Sequence, residues 1–90
     1  MANNRQIAEN VLKAVGGKEN VRNLTHCITR LRFNLKDDSI PDKKAIESID
    51  GVMKVVMAPG QFQVVIGNNV VKVYDELCAM GGFAKQAAVN

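Results

Sequence analysis

Cys27 is the residue best equipped for chemistry. A hydroxyl, Thr29, follows it two positions on, and two arginines, Arg30 and Arg32, follow three and five positions on. A thiolate needs positive charge nearby to form at neutral pH. A phosphoryl group needs hydrogen-bond donors and guanidinium forks to hold it. The segment 24–33, Leu-Thr-His-Cys-Ile-Thr-Arg-Leu-Arg-Phe, offers both within reach of one sulfur. A deprotonated sulfur is also a competent nucleophile that forms covalent intermediates readily. The bland alternative is that Cys27 is a small buried hydrophobe and that the arginines are charges protecting a sheet edge. Cys78 serves as an internal control: it falls in the apolar series Val71, Tyr74, Leu77, Cys78, so core packing is its expected role. His26 could act as a base beside the thiol. Adjacent strand residues point to opposite faces, however, which favours a structural or modest electrostatic role.

The elements that must position this set follow from periodicity. Asn3 or Asn4 caps a first helix, with Ile7, Val11 and Val15 in its stripe, widened by Ala8 and Leu12, and Gly16-Gly17 ends it. Lys18 to Asn23 is polar and connecting, while Val21 to His26 reads as a weak strand. Leu31, Phe33 and Leu35 alternate with Arg30, Arg32 and Asn34, which is a half-buried strand with both arginines on its outer face. Cys27, Ile28 and Thr29 then form a tight antiparallel connection, with no Gly or Pro to mark it. Such a loop at a sheet rim can aim successive N–H groups at one point, an anion-binding nest. Pro41-Asp42 starts a second helix with Ala45, Ile46 and Ile49 as its stripe and Asp50-Gly51 as its end. Val52 to Met57 is a strand, Ala58-Pro59-Gly60 a turn, and Phe62, Val64 and Ile66 alternate with Gln61, Gln63 and Val65 in a further strand. After Gly67-Asn68-Asn69 a last helix carries Val70, Val71, Tyr74, Leu77 and Cys78 on or near one side, ending at Gly81-Gly82.

This order predicts an α+β two-layer sandwich: a four-stranded, mainly antiparallel sheet with three helices on one face. Arg30, Arg32, Asn34 and Gln63 would lie on the other. The expected domain covers 1–82, with 83–90 the start of a linker or disordered tail. The Met1 start reads as a natural amino terminus with no secretory leader behind it.

Composition narrows the function classes. With 90 residues the chain is one small domain, and at 47% hydrophobic but only 4% aromatic residues its core must be aliphatic. No apolar run approaches the roughly 20 residues that span a bilayer. Twelve Lys and Arg against nine Asp and Glu give a formal charge of +3, too small an excess to argue for nucleic acid but suited to an acidic partner or anionic group. Cys27, Cys78 and the lone His26 have no metal-site spacing, and reduced thiols fit better than a disulfide.

The stretch Cys27-Ile28-Thr29-Arg30-Leu31-Arg32-Phe33 resembles the Cys-x-Thr-Arg-Leu-Arg-Phe signature of the enzyme IIB domain of sugar phosphotransferase systems, glucose/glucoside type. The likeness extends through Asp37-Asp38-Ser39, Gly51-Val52 and Gly60-Gln61-Phe62-Gln63-Val64-Val65-Ile66-Gly67, covering roughly residues 5 to 80. His26 and Phe33 resemble the β-glucoside, sucrose and trehalose branch. The resemblance implies that a IIA domain carries phosphate on a histidine, that Cys27 accepts it as phosphocysteine, and that a sugar bound by the membrane IIC domain receives it. It implies phosphoryl or partner contacts for Arg30 and Arg32, and a phosphate cradle from Thr29 and the loop amides from Ile28 onward. Gln63 is a further candidate. No cofactor and no Mg²⁺ is called for. The expected setting is the cytoplasm at the inner face of the membrane, with a monomer in isolation.

Rival readings make distinct demands. A small cysteine phosphatase spaces its arginine six positions after the cysteine, where this chain has Phe33. A module presenting its sheet to RNA wants aromatics on the open face. A regulatory domain that binds other proteins in one phosphorylation state is compatible with the same residues.

Overall fold

The computed structural model describes residues 3–83, so the expected 83–90 tail, apart from Phe83, lies outside the described residues. Four strands form one sheet in the order β1-β2-β4-β3, comprising β1 (Val21–His26), β2 (Arg30–Leu35), β3 (Lys54–Ala58) and β4 (Gln61–Val65). All three pairings are antiparallel. The helices are α1 (Asn4–Ala14), α2 (Lys43–Glu47) and α3 (Val70–Gly81). The expected two-layer α+β sandwich is the observed fold.

Each boundary has a local cause. At the start of α1, the Asn3 side chain accepts from the Gln6 amide at 2.8 Å and the Gln6 side chain accepts from the Asn3 amide at 3.1 Å. This reciprocal box satisfies two otherwise orphaned donors, worth about 1 kcal/mol. The Asp42 side chain caps α2 through Lys44 and Ala45. That helix stops at Glu47, three residues short of the expected Asp50-Gly51 end: the Ile49 amide bonds the Ile46 carbonyl in a tighter turn, and a second such turn from Ile49 to Val52 follows. Only Ile46 of its expected stripe is fully buried; Ala45 is exposed. Gly51 has φ +103°, and a Cβ there would collide with Ile7 Cδ1, so close packing of this bend against α1 requires glycine.

Two further expectations change. The connector after α1 is shorter than expected, because a 3₁₀ turn occupies Lys18–Asn20 and Val21 already pairs with Leu35. On α3 the buried positions are Val70, Val73, Tyr74, Leu77 and Cys78, whereas Val71 is half exposed. Val73 and Val70 lie three apart and share the inward stripe, and Val71 falls on the next radial position. The third strand starts at Lys54 rather than Val52.

The core is one cluster joining the helical stripes to one sheet face. Ile7, Val11 and Val15 of the α1 region meet Leu24, Leu31, Phe33, Val55, Phe62 and Val64 from the strands and Val73, Tyr74 and Leu77 from α3. Among the described residues no helix covers the opposite sheet face. One polar residue is built into the packing. Asn20 donates from Nδ2 to the carbonyls of Val15 (2.7 Å) and Asp37 (3.0 Å), and its Oδ1 accepts from the Asp37 amide (2.9 Å). It thereby fastens the end of α1 to the exit of β2, and its buried amide is compensated by these bonds. Phe83 donates its amide to the Cys78 carbonyl and packs against the core.

Candidate functional site

The hairpin joining β1 to β2 carries the reactive candidate. Cys27 N–H donates to the Arg30 carbonyl at 2.9 Å, leaving Ile28 and Thr29 as the turn. Among the described residues no non-glycine has positive φ, so the turn needs no left-handed position and no glycine marks it. Its outer end is strapped down: the Thr29 carbonyl accepts from the amides of Ile66 (2.8 Å) and Gly67 (3.0 Å), which follow β4. The turn is therefore held between its own strands and the segment leading to α3. Ile28 at the apex is 77% exposed.

Cys27 is part-exposed, in contrast to Cys78, which is buried; the two form no disulfide. Burial pushes the Cys27 thiol up. Hydrogen bonds from the Thr29 amide, the Arg32 side chain and the Arg30 amide, together with the charge of Arg32, outweigh it and hold the thiol below its ordinary value. Donors that favour the thiolate also suit a dianionic group placed on the sulfur. Thr29 contributes through its backbone, where a hydroxyl contact had been the expectation.

The other sequence candidates are distributed around this point. The Arg30 and Arg32 side chains lie on the open sheet face, as alternation requires, and each is anchored across to β4. Arg30 Nη1 donates to Gln63 Oε1 at 2.8 Å, and Arg32 Nη1 donates to Gln61 Oε1 at 3.0 Å. Gln63 Nε2 donates to the same Gln61 oxygen. The register explains the array, since Arg30 faces Val65 and Arg32 faces Gln63 across the β2–β4 pair. Gln61 is a site-region residue that sequence reasoning left out. Its signal was available, since Gln61 and Gln63 share one strand face. His26 turns the other way: its ring packs on Tyr74 with centroids 4.5 Å apart, and its Nδ1 donates to the Cys27 carbonyl at 3.0 Å. It braces the loop backbone from the core side and is itself buried. Among the described residues no group of three or more His, Cys, Asp or Glu side chains could hold a metal, and no helix is long and apolar enough to cross a membrane.

Comparison with known proteins gives this geometry a context. Residues 9–41 match the family described as phosphotransferase system, EIIB. A β-glucoside-specific EIIBCA component of the phosphotransferase system from Halalkalibacterium halodurans is 48% identical over 82 residues, covering 91% of this chain and 13% of that protein. A sucrose-specific EIIBC component from Staphylococcus xylosus is 47% identical over 76 residues, covering 83% of this chain and 16% of that protein. The chain thus spans about an eighth to a sixth of the length of these relatives. A crystal structure of one domain of a phosphotransferase-system IIabc component from Clostridium difficile superposes with a TM-score of 0.84 at 34% identity, covering 99% of this chain and 96% of that one.

Proposed function

This chain belongs to the EIIB family of the phosphotransferase system, and from that premise we propose that it carries a phosphoryl group on Cys27 between a phosphohistidine donor and a sugar. The Cys27 thiolate attacks the phosphorus of a IIA phosphohistidine in line. The S–P bond forms, the P–N bond breaks, and the imidazole leaves with the electron pair. A sugar hydroxyl oxygen, presented by a membrane IIC domain, then attacks the same phosphorus. The O–P bond forms, the S–P bond breaks, the hydroxyl proton is released, and the thiolate is restored.

The observation that carries this reading is the environment of one sulfur. Cys27 is part-exposed at a hairpin where the Thr29 and Arg30 amides and the Arg32 guanidinium favour its thiolate, while Cys78 is buried in the core. Phosphoryl transfer asks a protein mainly for positioning and charge stabilisation, and those are what the loop provides. Arg30 and Arg32 stabilise charge on the transferring group and meet acidic partner surfaces, which speeds encounter. The exposed Ile28 at the turn apex and Met53 (71% exposed) at the same end of the sheet add apolar area for docking. A carrier that serves two partners in turn needs a small, transient interface. The names of the EIIBC and EIIBCA relatives support a IIC partner in particular, and a domain working with such a partner would act in the cytoplasm at the inner face of the membrane.

Intact-mass measurement after incubation with phosphoenolpyruvate and the upstream phosphocarriers tests the assignment. One phosphoryl adduct is expected on the wild-type chain and on Cys78→Ser, and none on Cys27→Ser. An adduct that persists in Cys27→Ser and vanishes in Cys78→Ser rejects the site.

A further inference from the structure

The two arginines beside Cys27 are not free-swinging side chains. They are tied to two glutamines of β4, and the ties converge on one atom: Gln61 Oε1 accepts from both Arg32 Nη1 and Gln63 Nε2, while Gln63 Oε1 accepts from Arg30 Nη1. We propose that Gln61 is a positioning residue that fixes the Arg32 guanidinium in its aim at Cys27 and, through Gln63, ties Arg30 into the same array.

Three observations carry this. Among the described residues the Gln61 oxygen accepts from Arg32 directly and from the Gln63 amide that in turn holds Arg30, so its loss releases Arg32 and frees one end of Gln63. Arg32 Nε is buried and has no hydrogen-bond partner among the described residues. The guanidinium is therefore held through Nη1 with its Nε–H buried and unpaired, which leaves the Gln61 tie as a bond that sets its direction. Finally, the holding groups are amides. A carboxylate at position 61 would orient Arg32 equally well but cancel its charge at the sulfur. A neutral acceptor fixes the direction and leaves the positive field available. The charge that bears on the thiol is that of Arg32, while Arg30 acts on it through its backbone amide and His26 is turned to the Cys27 carbonyl.

This role deepens the phosphoryl-carrier reading and draws its purpose from it, but its test does not need the carriers. The pH profile of Cys27 alkylation by iodoacetamide reads the thiolate fraction directly. Gln61→Met keeps the length of the side chain and removes the acceptor. It is expected to lower the alkylation rate at neutral pH by about threefold, since the thiolate is the reacting species. Gln61→Glu keeps the acceptor but is expected to lower the rate as well, by neutralising Arg32. In an Arg32→Ala background the Gln61→Met change should lose most of its effect, the remainder being what passes through Gln63 to Arg30. A Gln61→Met profile that coincides with wild type overturns the proposal, as does an undiminished loss in the Arg32→Ala background. Absence of a phosphoryl adduct on the wild-type chain would instead sink the carrier reading, with the alkylation result still standing.

Discussion

The two cysteines of this chain show how one side chain acquires two characters from its surroundings. Cys78 lies on the inward stripe of α3, next to Leu77 and one turn from Tyr74, and is 4% exposed. It behaves there as a small hydrophobe. Cys27 lies where β1 turns into β2, with amide donors and a guanidinium directed at its sulfur. The lesson is that the hairpin, more than the cysteine itself, distinguishes the proposed site. The turn is shaped by its own backbone bond from Cys27 to Arg30, braced beneath by His26 and strapped sideways by Ile66 and Gly67.

Substitutions on either side of this contrast should separate stability from transfer. The largest stability effect is expected in the core: Phe33→Ala removes a fully buried ring and should cost about 3–5 kcal/mol, read by chemical denaturation. Arg30→Ala and Arg32→Ala should leave unfolding nearly unchanged yet slow phosphoryl transfer to sugar by about 10- to 100-fold, the worth of a charge-assisted hydrogen bond. Unchanged transfer in both variants would remove the electrostatic argument. Cys78→Ser buries a hydroxyl in an apolar stripe and should cost about 1–3 kcal/mol while the phosphoryl adduct persists.

The smallest effect is a pH dependence. The Cys27 thiol is held below its ordinary value in the folded chain. Its contribution to stability is therefore complete above the unfolded thiol range, about pH 8.5, and is lost as pH falls through the lowered folded value. Wild type should gain stability relative to Cys27→Ser as pH rises through that window. A flat difference across it would mean that the loop does not favour the thiolate.

Much of this was legible in the residues. The alternation of Leu31, Phe33 and Leu35 with arginines places the site face, and the Cys-x-Thr-Arg-Leu-Arg stretch places the sulfur at a turn. What escaped depends on contacts distant in sequence. Asn20 looks like a connector residue until Val15 and Asp37 close around its amide. Gln61 looks like a generic outward strand residue until β2 lies beside β4. The end of α2 and the exchange of Val71 for Val73 turn on single-residue choices of helix phase and capping, which a short apolar pattern underdetermines.

A proton–phosphorus correlation spectrum of the phosphorylated chain tests the central claim most directly. The bound phosphorus should couple to the Cβ protons of Cys27. Coupling to the imidazole protons of His26 instead, or a phosphorus signal with no partner in the hairpin, would contradict the account.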